Sequence, residues 1–108
     1  MSIEQTDKVD AIAVEKVSGK VILTISDHLD WGDEQAHVLA LQDKMNTYIR
    51  FIESGELVSV YPDADGRKPV VDVVTRLEIP RACVQFFERV RPTLESAGIE
   101  LRTRVLPA

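Results

Sequence analysis

The stretch Glu56-Leu57-Val58-Ser59-Val60-Tyr61-Pro62-Asp63-Ala64-Asp65-Gly66-Arg67-Lys68-Pro69-Val70-Val71-Asp72-Val73-Val74 decides the fold. Leu57 to Tyr61 reads as a short strand, and Val70 to Ile79 is a longer run of the same β-branched character. Pro62-Asp63-Ala64-Asp65-Gly66 between them is dense in turn formers. The pattern predicts two strands joined by a turn, a β-hairpin.

A second hairpin is expected upstream. Val9 to Val17 alternates loosely, Ser18-Gly19 supplies a tight turn, and Val21-Ile22-Leu23-Thr24-Ile25 is a strong strand. A helix follows from Gly32 or Asp33 to Ser54, with Val38, Leu41, Met45, Tyr48, Ile49 and Ile52 recurring at spacings of three and four. Asp30 or Asp33 can cap its start, and Gly55 suits a left-handed C-cap. Pro80 opens a second helix whose stripe is Cys83, Phe86, Phe87, Val90, Leu94 and Ala97. Pro92 inside that stripe predicts a kink or break, because its ring removes a backbone donor. Ile99 to Val105 alternates almost perfectly and reads as a last, half-buried strand. The expected fold is therefore α+β in the order ββαββαβ, one mostly antiparallel sheet with two helices on one face. Residues 1–8 are expected to be a flexible N-terminus and 9–106 a single domain.

Composition agrees with one ordinary domain: 108 residues, 44% apolar and 29% charged. It excludes collagen, a coiled coil and a disordered tail. No apolar run approaches the 18 or so residues of a membrane helix, so no membrane partner is expected. Met1 to Asp10 is polar and acidic rather than a secretory leader, which points to the cytoplasm. Cys83 is the only cysteine, so no internal disulfide exists, and its place on the apolar stripe favours packing over nucleophilic chemistry. The formal charge of −5 argues against a general nucleic-acid binder. Its distribution is uneven: residues 1–66 hold 5 bases and 13 acids, residues 67–108 hold 8 bases and 5 acids. Such a dipolar chain suits steering a partner or pairing with a copy of itself, unless the charges mix in space on folding.

The densest polar cluster is Asp27-His28-Leu29-Asp30-Trp31-Gly32-Asp33-Glu34-Gln35-Ala36-His37, between a strand and a helix. Asp27, His28, Asp30, Trp31 and His37 are its candidate site residues. Imidazole and carboxylate could ligate a divalent metal, or Asp27 or Asp30 could orient His28 as a general base. The same residues also serve as a structural connector, with aspartates as caps, Trp31 plugging the core edge and His28 hydrogen-bonded. No H-x-x-x-H, H-E-x-x-H or H-x-H spacing supports the metal, and no nucleophile accompanies the base. No catalytic residue, metal or cofactor is therefore assigned. Asp63-Ala64-Asp65-Gly66 opens like a calcium loop, but Val74 stands where an EF-hand needs its twelfth-position glutamate.

The sheet offers a second candidate. Alternation places Ile99, Leu101 and Val105, with Val71, Val73 and Leu77, on one side, and Asp72, Arg76, Arg102 and Arg104 on the other. That second face is either a solvated surface with cross-strand ion pairs or a docking surface, since arginine among apolar residues is typical of interfaces. Arg76, Arg102 and Arg104 are the candidate contact residues. Nucleic acid is disfavoured there because the strands lack exposed aromatics for base stacking.

The run Thr24-Ile25-Ser26-Asp27-His28-Leu29-Asp30-Trp31, with Leu41 to Tyr48 and Arg50-Phe51-Ile52-Glu53-Ser54-Gly55-Glu56, resembles a family of short bacterial proteins of unknown function. The resemblance runs from Asp7 to Val105 and implies a bacterial single-domain protein, with no activity attached. The expected role is a non-enzymatic interaction module, with another protein or a second copy as partner, a homodimer included. The alternative is a small metal-dependent or His/Asp-based hydrolase using the 27–37 connector.

Overall fold

A computed structural model describes residues 11–27, 34–75 and 81–105. Strands β1 (Ala11–Val14), β2 (Val21–Asp27), β3 (Pro69–Thr75) and β4 (Glu100–Val105) form one sheet in the order β1-β2-β3-β4. Helix α1 (Glu34–Glu53), the single-turn helix α2 (Glu56–Val60) and a 3₁₀ turn (Pro62–Ala64) connect β2 to β3, and α3 (Arg81–Ser96) connects β3 to β4.

The β1–β2 hairpin is antiparallel as expected, though β1 ends at Val14 rather than Val17. The rest of the sheet corrects the expectation of a mostly antiparallel layer. β2 pairs with β3 in parallel, and β3 with β4 in parallel, so the sheet is mixed. Parallel neighbours need long crossovers, and the two long helices provide them.

Leu57–Tyr61 is not a strand, contrary to expectation, and forms no hairpin with β3. Its first four residues with Glu56 make α2, and Pro62–Ala64 make the 3₁₀ helix. Leu57, at 4% exposure, and Ala64 of the 3₁₀ turn, at 3%, enter the core with Tyr61 packed against it, while Val60 is 64% exposed. An edge pairing would have needed an alternating buried face. β3, by contrast, is buried on both sides from Val70 to Thr75, the mark of a central parallel strand.

The α+β composition of one sheet with helices stands. The register sorts the strands into two faces. Ile12, Leu23, Val71 and Leu101 lie in one row, and with Val21, Ile25 and Val73 they form the core together with Leu41, Met45 and Tyr48 of α1 and Phe86, Phe87 and Leu94 of α3. Val70 and Val74 point the other way, outside that cluster. Both long helices therefore cover the same face. Phe86 and Phe87 meet edge to face at 5.5 Å between ring centroids, a favoured aromatic geometry.

Helix ends follow the sequence. Gly55 has φ of 85° and Gly98 of 79°, the left-handed region that glycine enters without strain. Beyond α3, Ile99 N donates to Leu94 O and Gly98 N to Glu95 O, a Schellman arrangement that turns the chain into β4. Of the kink or break expected at Pro92, no break occurs: α3 continues through it. The α3 stripe ends sooner than expected, since Ala97 is exposed, and Val105 of β4, expected on the core side, is 41% exposed. Among the described residues no helix is long and apolar enough to cross a membrane.

Candidate functional site

Two polar constellations stand out, one at the end of β2 and one on the helix-free sheet face. In the first, Asp27 ends β2 and His37 lies in the opening turns of α1. His37 Nε2 and Asp27 Oδ2 are 2.5 Å apart, and each residue is 3% exposed. Lys44, two turns further along the same side of α1, is fully buried, with its Nζ 5.8 Å from the Tyr48 ring centroid. Tyr48 donates its hydroxyl to Thr24 O at 2.6 Å. Thr75 stands opposite Asp27 in the register and is also buried. A polar seam thus ties α1 to β2 inside the core.

Of the connector residues, Asp27 and His37 meet. His28, Asp30 and Trp31 lie outside the described residues, as does Arg76 of the sheet face. Among the described residues no group of three or more His, Cys, Asp or Glu converges as metal ligands. Cys83 is fully buried in α3.

The second constellation occupies the open face. Arg102 and Asp72 are register partners, as are Asp72 and Thr24, and Thr24 and Ala11. Arg102 nevertheless reaches Glu15, just beyond β1: Nη1 is 3.1 Å from Oε2 and Nη2 3.4 Å from Oε1. Four strands at about 4.8 Å spacing put β1 and β4 some ~14 Å apart, so the two extended side chains lie across β2 and β3 as a strap. Glu100 anchors its near end, accepting from Arg102 Nε at 2.9 Å and Lys20 Nζ at 2.7 Å. Ser18 donates its hydroxyl to Glu15 at the far end. Val70, on the face that no helix covers among the described residues, has no exposed surface, and the strap crosses that same face.

These contacts perturb the ionisations. Arg102, and then the Ser18 hydroxyl, hold the Glu15 carboxyl below its ordinary value. Lys20 and Arg102 pull Glu100 down to about 2. Glu15 and Glu100 together raise Arg102 above the usual guanidinium value.

Asp72 lies in this network on the central strand. Its Oδ2 accepts from Arg104 Nε at 3.2 Å and Nη2 at 3.1 Å. Its side chain is only 6% exposed, and its Oδ1 is buried with no hydrogen-bond donor among the described residues. A groove of about 680 Å³ runs past it from Ala13 and Glu15, over Ile22 and Thr24, to Arg102, Arg104 and Arg91. That volume is within the range of ligand sites. Sequence alternation points to Asp72, Arg102 and Arg104 together, but not to Glu15, Lys20 or Arg91. The first two flank the Ser18-Gly19 turn, and Arg91 comes from α3, so only the fold joins them.

A small mixed-sheet domain with one helix-covered face and one strapped, charged face is what the fold and these residues define. The profile of a family of unknown function, DUF6572, matches residues 1–107, and the chain belongs to that family. No curated protein and no solved structure matches it.

Proposed function

We propose that the protein is a non-enzymatic interaction module that docks another protein through the open face of its sheet. The observation that carries this reading is the groove across that face, lined by Asp72, Arg102 and Arg104 on strands β3 and β4 and by Glu15 just beyond β1. Strand-borne charges are preorganised, so binding loses little side-chain freedom. Arginine beside Ile22 and Ala13 gives the mixture of guanidinium and apolar surface typical of interface centres.

Site-specific photo-cross-linking tests it. A photoreactive amino acid at Thr24 on the open face is compared with one at Leu39, which is 55% exposed on α1. The proposal expects protein adducts from position 24 and none from position 39. An adduct of twice the chain's mass identifies a second copy as the partner. Adducts from position 39 alone, or from neither position, refute it.

A hydrolase is the second reading, favoured by the His37–Asp27 bond at the carboxyl end of a parallel strand, where open sheets place sites. Burial of both residues supports a pinning role instead. Hydrolytic activity lost in His37→Gln with the fold retained would favour the enzyme.

A further inference from the structure

We infer that the groove beside Asp72 is a binding site for the carboxy-terminal end of a peptide, a carboxylate with an N–H donor next to it. The inference rests on the interaction reading above and names the partner chemistry for that face. Three observations point to this ligand. First, the groove is net basic on an acidic chain: Arg91, Arg102 and Arg104 line it against Glu15 and Asp72, while the whole chain carries −5. Second, the arginines are not equally committed. Arg102 is held by two carboxylates and Arg104 by Asp72, but Arg104 keeps 63% of its side chain exposed, and Arg91 makes no ion pair among the described residues. These guanidiniums can take a carboxylate. Third, Asp72 Oδ1 is a buried acceptor without a donor among the described residues. Such an atom favours any ligand that brings an N–H to it, because its desolvation cost is already present in the free protein.

A carboxylate alone satisfies the first two features, and an amide alone only the third. A chain end supplies both, with its last backbone N–H two bonds from the carboxylate carbon. The strap sets the order of events. The carboxylate competes with Glu15 for Arg102. Swinging the guanidinium away from Glu15 uncovers Oδ1 for the N–H. Ala13 and Ile22 then border the preceding residues of the peptide.

The test is a titration of the isotopically labelled full chain, followed by backbone amide shifts. The probes are N-acetyl-triglycine with a free carboxylate, its carboxy-terminal amide, and acetate. The free acid is expected to shift the amides of Glu15, Thr24, Asp72 and Arg102 to Arg104. It should bind about tenfold more tightly than acetate, the worth of one hydrogen bond to a charged acceptor. The amide form should leave those signals unmoved. Glu15→Ala releases Arg102 and should tighten the free acid several-fold, and Asp72→Asn should bring the free acid and acetate to similar affinity. Equal response to acid and amide forms, no groove shifts with any probe, or Glu15→Ala without effect overturns the inference. The wild-type comparison stands even where Asp72→Asn does not fold. A null titration beside a position-24 cross-link would reject the chain-end ligand and keep the interaction face.

Discussion

Replacing His37 with leucine probes whether the buried pair with Asp27 holds the fold. Leucine fills a similar volume, so little cavity cost is expected. The substitution removes the bond to Asp27 Oδ2, between residues each 3% exposed. Depriving a buried acceptor of a hydrogen bond costs about 1–3 kcal/mol, and more where the acceptor is a carboxylate. About 3 kcal/mol is therefore expected, against a total of about 5–15 kcal/mol for a domain of this size. At roughly 4–8 °C per kcal/mol, the melting temperature should fall by about 12–24 °C. The assay is urea and thermal unfolding followed by circular dichroism. The double variant His37→Leu with Asp27→Val removes both partners, and it should be more stable than the two single losses summed by at least ~1 kcal/mol. A loss below about 1 kcal/mol in His37→Leu, or strict additivity in the double variant, would refute the reasoning.

Three further outcomes follow from the same geometry. The Glu100 carboxyl sits at about 2, below the ordinary 4.5, so its stabilising contribution is full above about pH 4.5 and disappears as pH falls toward 2. Acid unfolding of Glu100→Gln should show a smaller stability loss across that window than the wild type. Gly55→Ala should destabilise by roughly 1–2 kcal/mol in thermal melts, from the left-handed backbone alone, since a Cβ there meets nothing within 4 Å. Tyr48→Phe removes the hydroxyl donated to Thr24 O at 2.6 Å and should cost about 1 kcal/mol by urea unfolding.

How much of this was legible in the sequence differs by element. α1 was readable because Leu41, Met45 and Tyr48 repeat at helical spacing and Gly55 ends them. β4 was readable from its alternation, and with it the placing of Arg102 and Arg104 opposite Leu101. The parallel topology was not. Leu57-Val58-Ser59-Val60 carries strand-like residue types, yet the five-residue turn of α2 is set by tertiary placement, which overrides a weak local propensity. The better signal was in β3 itself: Val70-Val71-Asp72-Val73-Val74 is apolar on both faces, as a central strand requires. Sequence proximity drew attention to Asp27 and His37, but their pairing joins a strand end to a helix ten residues on. The Glu15–Arg102 strap spans 87 residues of sequence, and no local pattern marks a contact of that range.

The most direct test of the open face as the working surface is the yield of cross-linked partner at position 24 in an Arg91→Glu background. Arg91 makes no ion pair among the described residues, so the reversal should leave the melting temperature within a few degrees of wild type. The account predicts a yield at least about tenfold lower, one charge contact's worth. An unchanged yield with the fold intact would contradict it.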